Sequence, residues 1–248
     1  MKILLPPSET KRPGGDGAPL DVDSLALPSL RDERLAVVDA LVALSADEDA
    51  ARAVLKLSTK QGGDVLHNRM LRSAVTMPAV DRYTGVLYDA LDASSLSPAS
   101  RRWLGAHVWI HSAPLGPIGA LDPIPQYRLA AGVSVPGLPA LRRHWAAPTS
   151  AAIAEEDPPF VLDLRSEAYV ALGPVPQSVA SVYVRVVTEH GRALNHFNKK
   201  SKGLLTRALA EDRPRVGSLR GLRSWAEPRG FVLRDTDEHG VVELVVAE

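Results

Sequence analysis

Four short polar clusters in this chain carry the side chains able to do chemistry. Ser8, Glu9, Thr10 and Lys11, within "LLPPSETKRPGGDG", follow an apolar run and offer hydroxyls, a carboxylate and a cation. A strand that empties into such residues is how many anion sites begin. The stretch is not a P-loop, because G-x-x-x-x-G-K-[ST] is absent and its glycines come after the lysine. Asp122, Gln126, Tyr127 and Arg128 sit in "APLGPIGALDPIPQYRLAAG". That segment is too irregular for a regular element and too apolar for a disordered linker, so it reads as a folded loop lining a site. Asp163, Arg165, Ser166, Glu167 and Tyr169 lie at a strand-to-helix junction, where Ser166 is suited to cap the helix, with nucleophilic catalysis as the other reading. The fourth cluster is Asn198, Lys199, Lys200, Lys202 and Arg207. With a helix starting near Ser201, its first amides would draw an anion, and basic residues there oppose the helix dipole, which points to function.

Two kinds of chemistry suit these residues. Arg128, Lys199, Lys200, Lys202 and Arg207 could contact DNA phosphates, with an affinity that falls steeply with salt. Alternatively, Arg128 and Lys199 clamp a small phosphate or carboxylate while Glu9 or Asp163 serves as general base, and the protein is an enzyme. The catalytic candidates are therefore Glu9, Asp163 and Ser166. The anion- or DNA-binding candidates are Thr10, Lys11, Tyr127, Arg128, Arg165, Tyr169, Lys199, Lys200, Lys202 and Arg207. Convergence in one pocket favours the enzyme, and an open basic groove favours DNA. The histidines are scattered: His107 and His111 fall on one strand face but about 13 Å apart, so they read as structural. Neither a metal nor a cofactor is expected.

The elements that must hold these clusters are legible in outline. "MKILLPP", "AHVWIHS" and "PFVLDLRS" read as buried strands, and the residues from Arg31 show helical spacing at Leu35, Val38, Leu41 and Val42. "KSKGLLTRALAED" predicts a helix of about three turns. "SVYVRVV", "EHGR" and "ALNHF" predict a hairpin turning at Gly191, and "FVLRDTDEHGVVELVVAE" a second one turning at Glu238, His239 and Gly240. Two short helices broken at Gly62-Gly63 suggest a helix-hairpin-helix unit over about residues 50–76, with Lys56, Lys60, His67, Arg69 and Arg72 as counter-charge to a DNA phosphate. The order implies a mixed α+β fold with a central sheet, in one domain over residues 1–248.

Length and charge bound the possibilities. The 248 residues can bury a sizeable core. Without cysteine there are no disulfides, thiolate metal sites or cysteine nucleophiles, which fits a cytoplasmic protein. No apolar run reaches the roughly 18 residues of a membrane span. Net charge is zero, yet residues 16–49 hold nine acidic against two basic residues and residues 185–234 hold twelve basic against four acidic. That asymmetry suggests a basic surface built from the C-terminal third.

Taken together, "LLPPSETKR", "YTGVLYDALD", "LDPIPQYRLAAG", "DLRSEAY" and "NKKSKGLLTRAL" occur in an order that resembles the YaaA peroxide-stress protein family, in its actinobacterial form. The resemblance covers nearly the whole chain. It implies a compact α+β fold of the cantaloupe type, with a helix-hairpin-helix element beside a positive cleft. It further implies a cytoplasmic protein that limits hydrogen-peroxide damage by lowering unincorporated iron, with DNA binding in some members. Thr10, Tyr127, Arg128, Ser166, Tyr169, Lys199, Lys200, Gly203 and Arg207 match family positions. Two stretches depart from the pattern: "PPSETK" stands where many members have S-P-A-K-T, and "SAPLGPIG" where many have SGLYG.

Overall fold

The apolar run after Met1 forms β1 (Lys2–Leu5), whose Ile3, Leu4 and Leu5 are fully buried. A strand covered on both faces belongs inside a parallel sheet. β1 lies there, parallel to β3 (Val108–Ser112) on one side and to β6 (Val161–Asp163) on the other. Next to β6 runs β7 (Ser181–Thr188), and next to β7 runs β9 (Val241–Val246), both in parallel. Antiparallel strands close the edges: β4 (Gly116–Gly119) on β3 and β8 (Val232–Asp235) on β9. The seven-stranded order is β4-β3-β1-β6-β7-β9-β8. A separate short ladder joins β2 (Met77–Pro78) to β5 (Pro123–Ile124). The computed structural model describes residues 1–58, 61–189 and 195–246.

Helices cover this mixed sheet, and the buried apolar side chains form one continuous cluster from Ile3 to Leu244. In the first half they are α1 (Arg31–Leu44), α2 (Glu48–Leu55), α3 (Gly62–Arg69), α4 (Ala79–Arg82), α5 (Val86–Leu91) and α6 (Pro98–His107). The second half adds α7 (Leu141–Glu156), α8 (Glu167–Val170), α9 (Asn195–Asp212) and α10 (Leu219–Ala226). The expected α+β class with a mixed central sheet is what the chain adopts.

Three local expectations need revision. The helix expected near Ser201 begins at Asn195 and runs 18 residues, so the Ser201 amide lies inside α9 and is no helix-end anion site. Its opening turns are polar, and polar residues conceal the start of an amphipathic period. The hairpin after β7 does not return through residues 195–197, which are the first turn of α9, while its turn at Gly191 lies outside the described residues. β7 instead pairs with β6 and β9. Gly62 and Gly63 open α3 rather than separating two helices, and Lys60 lies outside the described residues.

Two buried arginines fasten the long loops. Arg82 donates to the carbonyls of Arg12, Gly14, Val75 and Ile124 at 2.7–3.2 Å. Arg34 does the same for Ala26, Leu115 and Pro117 at 2.6–2.9 Å. Each guanidinium satisfies loop carbonyls that would otherwise be buried without partners.

Candidate functional site

A parallel sheet offers its ligand crevice at the carboxyl ends of two neighbouring strands whose connections leave in opposite directions. Here that point lies between β1 and β6: the chain leaving β1 reaches β3 on one side, and the chain leaving β6 reaches β7 on the other. A cleft of about 800 Å³ opens there. Its walls are Pro6–Thr10 after β1, Leu164, Ser166, Ala168 and Tyr169 after β6, Tyr127 and Leu129–Gly132, the start of α5, and Asn198, Lys199 and Lys202 on α9. All four polar clusters therefore contribute to one cleft. A second depression, of about 510 Å³, lies by Met1 and His107 at the amino ends of β1 and β3, the edge where this rule places no ligand.

The loop after β1 is held from beneath. Thr10 Oγ1 accepts a hydrogen bond from Thr84 Oγ1 (2.9 Å), and the Thr84 amide donates to the Thr10 carbonyl (3.2 Å). Tyr88 donates its phenol to the Pro6 carbonyl (2.7 Å). The Lys11 ammonium folds back to the Ser8 and Glu9 carbonyls (3.0 and 3.3 Å) and lies 4.0 Å from the Tyr127 ring centre. Burial, reinforced by the Arg128 charge and opposed by Asp64 and Glu9, pulls its pKa down to about 7. Lys11 thus braces its own loop and is not among the residues lining the cleft.

Several nominated residues are engaged by protein partners. Arg165 is fully buried and meets Asp163 through two bonds, Nε to Oδ1 at 2.9 Å and Nη2 to Oδ2 at 2.6 Å, while its amide also donates to Oδ1. Both Asp163 oxygens accept bonds from Arg165, which ties this general-base candidate into an internal ion pair. Arg165 Nη1 donates to His111 Nδ1 (2.8 Å) and to the Gly173 carbonyl (2.8 Å). Burial first, then the Arg165 charge, hold His111 neutral, in keeping with the structural role expected of it.

Arg207 caps α5, donating to the carbonyls of Leu91 and Asp92 (3.0 and 3.1 Å), and pairs with Glu211 at 2.9 Å. Arg128 is drawn to Glu9 (3.0 Å) and faces Asp64 at 3.9 Å, and both its backbone groups bond to the buried Asn68 amide. Lys200 is exposed and, like Arg128, Arg165 and Arg207, is not among the lining residues.

Of the four clusters, the residues facing the cleft are Ser8, Glu9, Thr10, Tyr127, Ser166, Tyr169, Asn198, Lys199 and Lys202. Ser166 occupies the cap position of α8 but its hydroxyl makes no capping bond, which leaves it exposed on the cleft wall. Burial raises the phenols of Tyr83, Tyr88, Tyr127 and Tyr169, so all four stay protonated through neutral pH. Tyr83 and Tyr127 share a hydrogen bond of 2.6 Å between their hydroxyls. Tyr83, Thr84, Tyr88 and Asn68 escaped sequence reasoning because each acts through a partner 44 to 82 positions away. The run "YTGVLYDALD" was the available signal. Among the described residues, no group of three or more His, Asp or Glu side chains is placed to hold a metal ion, and no helix is long and apolar enough to cross a membrane.

The family model described as peroxide stress protein YaaA matches residues 1–236. The chain belongs to that family. Similar proteins include a UPF0246 protein of Corynebacterium efficiens, 46% identical over 227 residues and covering 89% of each chain. Another, from Streptomyces coelicolor, is 44% identical over 214 residues, or 84% of this chain and 82% of the relative. A more distant UPF0246 protein from Streptococcus pneumoniae is 28% identical over 244 residues, 95% of this chain and 94% of the relative. The family's name attaches it to peroxide stress, and the cleft residues lie within the matched span.

Proposed function

We propose that this protein serves the peroxide-stress response by binding, and acting upon, a small anionic molecule of nucleotide size in the cleft between β1 and β6. One observation carries the reading: four clusters far apart in sequence line a single cleft of about 800 Å³. The cations that would coat a polyanion are largely spent inside the molecule. Arg165 and Arg207 are bound to protein groups, Arg128 is paired, and Lys11 and Lys202 are turned inward. Lys199 supplies positive charge at the opening, Ser166 and Thr10 supply hydroxyls, and Tyr127 and Tyr169 supply protonated phenols. Glu9 is the carboxylate that lines the cleft, and is the general-base candidate there.

DNA binding is the second reading, favoured by the exposed neighbours Lys199 and Lys200 on α9. The family's expected influence on iron then follows from the bound molecule or from protection of DNA. Fluorescence titration with nucleoside mono- and diphosphates and with duplex DNA, at several salt concentrations, separates the two. The cleft reading expects saturable nucleotide binding lost in Lys199→Ala. A DNA surface using these two lysines expects log affinity to fall by about 1.8 per decade of salt, and by about 0.9 when one is removed. No nucleotide binding, together with DNA binding of that slope, overturns the cleft reading.

A further inference from the structure

Lys202 is a buried lysine in the cleft wall. It is only 4% exposed, and among the described residues its Nζ makes one hydrogen bond, 3.2 Å to the Arg165 carbonyl. The ring of Tyr183 lies 5.3 Å away. No carboxylate among the described residues pairs with it, and Asp163, the acid whose charge it feels most, is held by Arg165 through both oxygens. Buried lysines without a charge partner are rare because desolvation penalises the ammonium. Sites that retain one commonly use the amine itself as a nucleophile.

The surroundings suit that use. Val86, Leu87, Leu129, Leu164 and Ala168 give the cleft an apolar wall, while Lys199 puts a cation at its opening and Tyr169 a phenol that keeps its proton. Burial, against the pull of Asp163 and Glu167, brings the Lys202 pKa down to about 8. A substantial share of the amine is then neutral at physiological pH.

We propose that the Lys202 amine condenses with the carbonyl carbon of an anionic aldehyde or ketone held in this cleft, forming an imine. The amine lone pair adds to the carbonyl carbon to give a carbinolamine. The nitrogen gives up two protons in all, the carbonyl oxygen leaves with them as water, and a C=N bond replaces C=O. No oxidant or reductant is consumed. The anionic group of the substrate lies towards Lys199, and the water is released into the cleft that Tyr169 also lines. This inference rests on the cleft being a small-ligand site, and it narrows the ligand class to carbonyl compounds.

The test uses the full chain and pyridoxal phosphate, an aldehyde carrying a phosphate, with cyanoborohydride to fix any imine as a secondary amine. Peptide mass spectrometry should find Lys202 modified at least about tenfold faster than Lys199 or Lys200 at neutral pH, since a lowered pKa leaves more neutral amine. Lys202→Arg should abolish that adduct, and Lys202→Met serves if the arginine disturbs folding. Labelling confined to Lys199 and Lys200, or unchanged in both variants, overturns the imine. Calorimetric titration with pyrophosphate keeps the two ideas distinct. Pyrophosphate binding without a Lys202 adduct overturns the imine and leaves the cleft reading standing, and absence of both overturns the two together.

Discussion

Lys202 lowers the stability of the fold it belongs to, and the sign of its pH dependence is fixed by its shift. Its pKa falls from 10.5 in the unfolded chain to about 8 in the folded one. Well below pH 8 both states are protonated and the fold carries the whole penalty, on the order of 3 kcal/mol. Between about pH 8 and 10.5 the unfolded chain binds more protons, so stability rises. Lys11 acts in the same direction from about pH 7. Above about pH 10 the buried phenols, raised by burial, work the other way. Urea denaturation at pH 7 and 9 should therefore show a higher midpoint at pH 9, and Lys202→Met should be more stable than the wild-type chain at pH 7 with a flatter rise. A less stable Met variant would contradict this account of the lysine. Asp163→Asn should behave oppositely, costing about 3–5 kcal/mol by leaving Arg165 buried without its anion. At this scale the sequence was legible in type but not in role. "DLRS" marks charged residues at a strand end, yet their spacing cannot say that His111, 54 positions away, turns the pair inward.

The packing of α9 on α5 sets the opening of the cleft. A Cβ on Gly203 would run into the Leu87 carbonyl and the Ala90 side chain, so the glycine is what lets the two helices approach. One turn later Arg207 caps the end of α5. The motif "KSKGLLTR" thus reads as a cleft residue, a close approach and a cap, in that order. Gly203→Ala should cost about 1–3 kcal/mol by forcing α9 away from α5. It should also weaken ligand binding, because Lys199 and Lys202 ride on the displaced helix; thermal unfolding and nucleotide titration read the two effects. An unchanged melting temperature would show that the helices accommodate the methyl group. The strands β1, β3 and β6 and the β8–β9 hairpin were legible because alternating or continuous apolar runs leave few alternatives. The start of α9 was not, since polar residues in its first turns carry no period, and the partners of β7 were not, since strand pairing is a long-range choice.

The order of the strands puts the cleft where a parallel sheet changes direction, and this distributes its walls along most of the chain. Hydrogen exchange with a bound nucleotide should therefore slow together in residues 6–10, 84–88, 129–132, 164–169 and 198–202, although these are remote from one another in sequence. Protection restricted to the exposed face around Lys199 and Lys200 would favour DNA contacts instead. Basic residues of the last third meet acids nearby, as Arg185 does Glu238, Arg207 does Glu211 and Arg234 does Glu243. A sum of charges over a segment says little about a surface until the partners are known.

The scattered walls also give the site a place in the life of the chain. Its wall at Pro6–Thr10 is synthesised nearly two hundred residues ahead of its wall at Lys202. At about 5–20 residues per second, that interval is on the order of ten to forty seconds. During it no ligand can find a complete pocket, so binding cannot guide the early steps of folding. The opening loop can meanwhile be held by partners made soon after it, Thr84 and Tyr88, until α9 arrives to close the cleft.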